Sequence, residues 1–227
     1  MEIIFSDQNI PNKIQKSIFL AGPSPRGMIK DEWRHEALLI LSNYNYQGTV
    51  FIPIPKDLFY GNRKLSEPHD YTDQLSWEVD CRKIADKIVF WIPRDIKNGF
   101  PGFTTNVEFG EDLNTGRVMY GRPDNADNIR YLDGRFAGKG VIHNTLDSLL
   151  SDTLISLGSG AIRRGIEVSI PLNIWTSYRF QNWYKNFDSK YDGGRIEIKY
   201  AEFSSDNICR AIIANVHSGN KHKTLLI

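Results

Sequence analysis

One carboxylate in this sequence stands at a position where it could do chemistry. Glu108 lies in the segment "PGFTTNVEFG", between a valine and a phenylalanine, at what reads as the start of a helix just beyond a buried strand. An acid at such a position can be catalytic, or it can be an ordinary first-turn residue that complements the helix dipole. Taken alone, the position favours the second interpretation. The elements around Glu108 are therefore needed to judge whether it is catalytic.

A second segment, "AGPSPRG", is suited to an anion. Its exposed backbone N–H groups, together with Ser24 and Arg26, fit a phosphate or a carboxylate, although the segment also reads as a plain turn. It has neither the dinucleotide-binding nor the P-loop spacing. The five histidines show no metal-ligand spacing, and no hydrolase nucleophile elbow is present. We therefore expect no metal and no cofactor.

Composition narrows the class of protein. The chain has 227 residues, a net charge of +1 and no apolar run long enough to cross a bilayer. The small net charge argues against a strongly basic nucleic-acid surface, and the first residues do not resemble a secretory signal. Cys81 and Cys209 read as two reduced, buried thiols. We expect a cytoplasmic protein that binds neither extended nucleic acid nor membrane.

Strands and helices alternate up to about residue 158, which is typical of an α/β fold with a doubly wound, mostly parallel sheet flanked by helices. We predict five strands at 17–21, 49–54, 87–92, 117–120 and 140–143. We predict helices at 31–42, 71–86, 106–114 and 144–157. Ligands of such sheets bind beyond the carboxyl ends of the strands, so the loops after the first and third predicted strands are the best placed.

The pattern of the sequence changes after "LGSG", which reads as a linker. We expect one domain at 1–158 and a small α+β module at 159–227, packed on the first domain or on another subunit. Its predicted strands are 167–172, 195–203, 207–216 and 223–227. The aromatic residues of its predicted helix, 173–187, are interpreted as a core face.

Several segments in order make the sequence similar to a known family. They are "IFLAGP", "WRHEAL", "DQLSWEVDCRKIADKIVFWIPRD" and "GFTTNVEFG". Over about residues 16–157 the chain resembles the nucleoside 2-deoxyribosyltransferase-like family. Each motif is weak alone, but the ordered set, with "ADKIVFW" leading into "TTNVEFG", is fairly specific.

The resemblance implies a role for Glu108. In the family, a glutamate at this place attacks the anomeric carbon of a nucleoside, the base leaves, and a covalent glycosyl ester remains. A second base or water then takes the sugar with net retention, through transition states that resemble an oxocarbenium ion. We expect Val107 and Phe109 to limit hydration of this carboxylate, and helix N–H groups to help keep it ionised.

Other residues are assigned by the same resemblance. Glu78 matches an acid that contacts the sugar, and Asp80 is a nearby competitor for that role. Trp77 either flanks the base or belongs to the core. The first-strand loop lines the sugar or phosphate end, and polar residues at the start of the helix cap it and contact the ligand. These last two sets are Gly22, Pro23, Ser24 and Arg26 for the loop, and Thr104, Thr105 and Asn106 for the helix.

Two departures from the family's pattern bear on the reaction. Where the family has a tyrosine that orients the nucleophile, this chain has Phe19, and where it has an acid that handles the base, this chain has Gly102. Both argue against base exchange and leave glycosidic cleavage open. The first hypothesis is an N-glycosidase or N-glycosyltransferase acting on a nucleoside or nucleotide. The alternative is a non-catalytic nucleotide-binding protein of the same fold, and in either case we expect a homo-oligomer.

Overall fold

The structure is a computed structural model, and the segments it describes cover most of the N-terminal part and several stretches of the C-terminal part. The described residues are 1–11, 14, 16–24, 32–62, 71–157, 162–163, 169–170, 174, 177–184, 195–204, 208–218 and 221–227. None of the helices in this described part combines the length and apolar character that crossing a membrane requires.

The elements follow the predicted alternation. The strands are β1 (Glu2–Phe5), β2 (Ser17–Ala21), β3 (Thr49–Ile52), β4 (Lys87–Trp91), β5 (Val118–Gly121), β6 (Ile142–His143), β7 (Ile162–Arg163), β8 (Ser169–Ile170), β9 (Arg195–Phe203), β10 (Cys209–Ser218) and β11 (Lys221–Leu226). The helices are α1 (Trp33–Asn43), α2 (Lys56–Phe59), α3 (Tyr71–Ile84), α4 (Phe103–Asp112), α5 (Arg130–Phe136), α6 (Leu146–Leu157) and α7 (Tyr178–Tyr184).

The first six strands form one parallel sheet in the order β1-β3-β2-β4-β5-β6. The doubly wound α/β architecture is therefore confirmed, but the sheet has six strands where five were predicted. The missed strand, β1, lies at the edge of the sheet and is only four residues long, too short for its periodicity to stand out. The short helices α2 and α5 were not predicted either.

Two hydrophobic layers cover the faces of this sheet. Side chains of α3, α4 and α5 pack on one face, in a cluster that includes Phe19, Phe90 and Phe109. Helices α1 and α6 pack on the other face, against Leu20 and Val89. Because successive strand residues point to opposite faces, the fully buried strands β2 and β4 contribute to both layers. Consequently α3 and α4 lie side by side on the same face.

The helix that carries Glu108 begins earlier than predicted. The sequence analysis placed its start at Asn106, whereas α4 begins at Phe103, after Gly102 in the left-handed conformation with φ of 60°. Glu108 is therefore the sixth residue of the helix and does not lie in its first turn. The expectation that free helix N–H groups keep this carboxylate ionised is wrong, because the unpaired N–H groups belong to the first turn alone.

The C-terminal part forms a small α+β unit, as predicted. Strands β11, β10 and β9 form an antiparallel sheet, and β7 pairs with β8. Phe180 of α7 is fully buried against this sheet together with Ile174, and Trp183 and Tyr184 pack partly buried on the same cluster. These three aromatic residues agree with the predicted core face, whereas residues 175 and 187 lie outside the described residues. Residues 158–161, around the predicted boundary, lie outside the described residues.

This unit packs on the first domain. The backbone N–H of Ala201 in β9 donates to the carbonyl of Asn114, just after α4, over 2.6 Å. Cys81 and Cys209 are both free thiols and both buried, as the composition indicated.

Candidate functional site

Two glutamates meet between neighbouring helices. Glu78 on α3 and Glu108 on α4 share a side-chain hydrogen bond, and Glu78 is only 6% exposed. Two carboxyl groups can approach this closely only when at least one of them holds a proton. We refer to Glu78 and Glu108 as the carboxyl pair.

The surrounding hydrogen bonds indicate which member of the pair holds the proton. The Gln74 side-chain amide donates to Oε1 of Glu78 over 2.7 Å and to the carbonyl of Pro53 over 3.1 Å. Glu78 is an acceptor on this side. The hydrogen bond within the pair lowers the pKa of Glu78 and raises that of Glu108, so Glu108 is the donor within the pair. The two hydrogen bonds from the Gln74 amide also fix Glu78 relative to the end of β3.

Burial, followed by the negative charge of Glu78, raises the pKa of Glu108 to about 8. Burial also raises the pKa of Glu78, while the Gln74 amide and the hydrogen bond from Glu108 partly offset that rise. At neutral pH the carboxyl pair therefore holds one proton, located mainly on Glu108. This corrects the expectation of an ionised Glu108: Phe109 is buried beside it, but Val107 is 61% exposed and does not shield it.

The loop after β2 is held in place by α1. Arg34 is fully buried and donates to the carbonyls of Leu20 and Gly22 and to the Ser24 hydroxyl. The Trp33 indole donates to the carbonyl of Pro23 over 3.1 Å. These bonds fix the loop from its backbone side.

Gly22 allows this loop to approach the end of β4. Its φ is 150°, and a Cβ atom there would lie 2.1 Å from the carbonyl oxygen of Trp91. A side chain is therefore excluded at this position. Ser24 is exposed, and Arg26 lies outside the described residues.

The two loops that the sequence analysis selected meet at one edge of the sheet. A Cβ atom added to Gly102, at the start of α4, would lie 3.1 Å from Cγ of Pro23 and 3.7 Å from Nε of Arg94. The loop after β2, the chain after β4 and the N-terminus of α4 are therefore in contact. This is the edge where ligands of such sheets bind.

Arg94 is a residue that the sequence analysis missed. It is 5% exposed, and it donates to the carbonyl of Asn128 and to Oδ1 of Asn106. Its Nε has no hydrogen-bond partner, and within the described ranges no carboxylate forms an ion pair with it. The available signal was its position: a cation directly after the buried strand β4, in the loop already selected.

The remaining predicted residues lie in three kinds of surroundings. Trp77 is buried, contacts Phe19 in the core and donates its indole N–H to the carbonyl of Gln8 over 2.9 Å. Thr105 is buried on α4. The side chain of Asp80 is 63% exposed and is not brought to the carboxyl pair. Asn106 is exposed overall, and its Oδ1 accepts a hydrogen bond from Arg94.

Phe19 is fully buried in the layer that includes Trp77, so the structure has a core side chain where a hydroxyl was expected from the resemblance. Among the residues that the structure describes, no group of three or more His, Cys, Asp or Glu could hold a metal ion. The described residues at this edge supply carboxyl groups, amides and guanidinium groups.

Residues 15–125 match the family described as "Nucleoside 2-deoxyribosyltransferase like". This segment runs from before β2 to just after β5 and contains both glutamates, Arg94 and the loop after β2. No curated protein matches the chain. The resemblance inferred from the ordered motifs is confirmed over these residues.

Proposed function

Since the N-terminal part of the chain, residues 15–125, belongs to the nucleoside 2-deoxyribosyltransferase-like family, we propose that the protein cleaves the N-glycosidic bond of a nucleoside or nucleotide. Glu108 is the nucleophile, and Glu78 carries the proton that the leaving base needs. The observation that carries this proposal is the hydrogen-bonded contact between the buried Glu78 and the half-buried Glu108. One carboxylate and one carboxylic acid are the two groups that a glycosidic cleavage with retention requires.

The first chemical step starts with the pair's proton moving fully to Glu78. The Glu108 carboxylate attacks C1′, and the bond between C1′ and the base nitrogen breaks. The electron pair of that bond leaves with the base, and the base nitrogen takes the proton from Glu78. The products are a glycosyl ester on Glu108, a neutral free base and an ionised Glu78.

The second step restores the pair. The Glu78 carboxylate takes a proton from water, or from the N–H of a second base, while that oxygen or nitrogen attacks C1′. The ester bond to Glu108 breaks and its carboxylate is regenerated, so the pair again holds one proton. Two displacements at the same carbon give net retention of configuration.

Glu78 offers a physical reason why cleavage can proceed with Gly102 where the family's pattern has an acid. The base requires one proton, and a carboxylic acid next to the nucleophile can supply it. Gly102 itself adopts a left-handed φ of 60° and lies against Pro23. A glycine at this position therefore allows the backbone turn that begins α4.

The surroundings of Arg94 are an argument for a negatively charged ligand. Arg94 is buried, its Nε has no hydrogen-bond partner, and among the described residues Asp127 acts on it electrostatically without forming an ion pair. A guanidinium in such surroundings favours an anion that completes them. Arg94 lies beside the first residues of α4, whose N-terminus has no side-chain cap. We therefore favour a nucleotide over an unphosphorylated nucleoside as the substrate.

Apolar side chains on the outer surfaces of α3 and α4 support a homo-oligomer. Leu75 and Val79 on α3 are 42% and 39% exposed, and Phe103 and Val107 on α4 are 65% and 61% exposed. Each of these positions neighbours the carboxyl pair along its helix. A second subunit on this surface would bury the apolar groups and enclose the pair. Sedimentation of the full chain measures its association state.

The reaction is tested by incubating the protein with a panel of nucleosides, nucleotides and dinucleotides and detecting free base by mass spectrometry. Wild type is compared with Glu108→Gln and Glu108→Ala. We expect base release from wild type and a loss on the order of 10³-fold or more in both variants. Equal release by all three proteins would show that Glu108 is not the nucleophile. Adding a second free base separates transfer from hydrolysis.

Two observations favour a second candidate, a protein that binds a nucleotide without turning it over. Phe19 fills the place of an orienting hydroxyl with a buried phenyl ring, and Glu108 is mainly protonated at neutral pH. Thermal unfolding with the same panel distinguishes the two functions. Strong stabilisation by a nucleotide without base release over hours supports binding alone.

A further inference from the structure

The helices α3 and α4 carry a second charged contact one turn beyond the carboxyl pair. On α3, Arg82 follows Glu78 by four residues, and on α4, Asp112 follows Glu108 by four residues. Residues four apart on a helix share a face, so the two contacts lie in register. Arg82 bonds to Asp112 over 2.5 Å and to Glu111 over 2.8 Å. We call Arg82, Glu111 and Asp112 the ion cluster.

The position of Arg82 is fixed by its neighbours. It is 5% exposed, and its two terminal nitrogens are bonded to two different carboxylates. Arg117, from just before β5, lies 4.0 Å from Asp112 and donates to the carbonyls of Arg82, Lys83 and Ala85. Arg117 thus holds the C-terminal end of α3 in place, and the Arg82 guanidinium has one available position.

The C-terminal sheet encloses this region. A cavity of about 440 Å³ is lined by Arg82 and its neighbours on one side and by residues 196–199 of β9 on the other. Strand β9 is also bonded to the chain after α4, and the Arg82 side chain is only 6% exposed. A charge that is shielded from bulk water acts over a longer range than an exposed one.

Charged groups face the carboxyl pair from three helices. Arg34 of α1 and Arg82 of α3 both lower the pKa of Glu78. For Glu108, Arg82 is the cation that lowers the pKa, against the raising effects of burial, Glu78 and Asp112 of α4. Arg34, which bonds closely to Glu32 and to loop carbonyls, lowers the pKa of Glu78 somewhat more than Arg82 does.

We propose that Arg82 is a positioning residue for the carboxyl pair: its fixed positive charge, one helical turn away, keeps one of the two carboxyl groups ionised. The inference rests on the proposed glycosidic reaction, which requires one ionised and one protonated carboxyl group. Without Arg82 the pair would hold its protons to higher pH, and less nucleophile would be present at neutral pH.

The test compares the pH dependence of base release by wild type, Arg82→Gln and Lys83→Gln. Lys83 is the matched control, because it is adjacent, lines the same cavity and carries the same charge, but its side chain is 51% exposed. We expect the pH–rate profile of Arg82→Gln to move upward by about one pH unit, the lower range for the loss of a nearby opposite charge. The profile of Lys83→Gln should superimpose on that of wild type.

Arg82→Lys separates charge from structure. It keeps the positive charge and loses the two-pronged contact, so we expect a wild-type profile with lower thermal stability. A profile that shifts equally in Arg82→Lys and Arg82→Gln, or in neither, would overturn the inference. If Arg82→Gln does not fold, Arg82→Met takes its place with the same expected upward shift. Arg82→Lys should still keep the wild-type profile, and an unshifted profile in Arg82→Met contradicts the inference.

A readout that does not need turnover separates this inference from the proposed function. Carbon-13 NMR of the glutamate carboxyls, in wild type and Arg82→Gln, follows the titration of the pair directly. A higher titration midpoint in the variant supports the role of Arg82 even if no substrate is cleaved. An unchanged midpoint in an enzyme that Glu108→Gln inactivates would reject the role of Arg82 alone.

Discussion

The carboxyl pair and the ion cluster occupy successive turns of the same two helices, yet they neutralise buried charge in opposite ways. In the ion cluster, a guanidinium bonds two carboxylates, and its charge is permanent. In the carboxyl pair, a proton takes the place of the cation. A proton can be passed to a substrate, whereas a guanidinium cannot. The comparison teaches that the turn without a directly bonded cation is the one able to do chemistry.

The largest expected effect comes from removing the proton carrier of the pair. Glu78→Gln keeps the shape of the side chain and its neighbours, but an amide cannot protonate a leaving base. We expect base release to fall on the order of 10²–10⁴-fold, the usual contribution of general acid–base catalysis. Asp73→Asn, an exposed carboxylate on the same helix, is the matched control and should leave the rate unchanged. A fully active Glu78→Gln would remove the chemical distinction between the two turns.

The second effect tests the structural role of the ion cluster. Asp112→Ala leaves the buried Arg82 and Arg117 without their shared carboxylate, so we expect a loss of about 3 kcal/mol in the free energy of unfolding. Glu111→Ala removes the other partner of Arg82, which is 57% exposed, and should cost at most about 1 kcal/mol. Urea denaturation measures both. Equal losses would mean that burial does not distinguish the two carboxylates.

Much of the fold around the carboxyl pair and the ion cluster is predictable from the sequence. The apolar runs of β2 and β4 and the helical spacing of α3 are local signals, and they were sufficient to identify the parallel sheet and its ligand edge. Glu108 was identified as a candidate from its segment and from the resemblance. The ends of most predicted elements shifted by only one or two residues.

The features that control the protons are not local in sequence. Glu78 and Glu108 are thirty positions apart, and their contact depends on how α3 and α4 pack on the sheet. The start of α4 was misplaced because a left-handed glycine, Gly102, begins it without a side-chain cap. Arg94 was missed because the absence of a partner is visible only in three dimensions.

A third effect, the pH dependence of stability, distinguishes the carboxyl pair from the ion cluster. The pKa of Glu108 is about 8 in the folded state against an ordinary value of 4.5, so the unfolded chain loses this proton first. Stability contributed by the protonated form is present below about pH 5 and is lost as the pH rises toward 8. We expect Glu108→Gln to be about 2 kcal/mol more stable than wild type at pH 8.5 and similar to it at pH 5.

Thermal or urea unfolding across this pH range measures that difference. The control is Glu111→Gln, which changes an exposed carboxylate of the ion cluster and should run parallel to wild type. If wild type and Glu108→Gln showed the same pH dependence, Glu108 would not be the group that retains a proton in the folded protein.

The smallest effect concerns the other end of α4, where Arg94 forms no ion pair with a carboxylate of the described residues. We expect Arg94→Gln to raise KM for a nucleoside 5′-monophosphate about tenfold, the loss of one charge-assisted hydrogen bond, and to leave the unphosphorylated nucleoside unaffected. Lys97→Gln, an exposed cation in the same loop, is the control. Equal changes for both substrates would show that Arg94 does not contact the phosphate.

The most direct test of the central claim is to trap the glycosyl intermediate. A cleaved substrate is mixed with the protein, the reaction is quenched in acid during turnover, and the intact mass and the peptide carrying any adduct are measured. We predict a protein heavier by one sugar or sugar phosphate, with the added mass on Glu108 and absent from Glu108→Gln. Base release that continues in Glu108→Gln, or an adduct on another residue, would contradict the account.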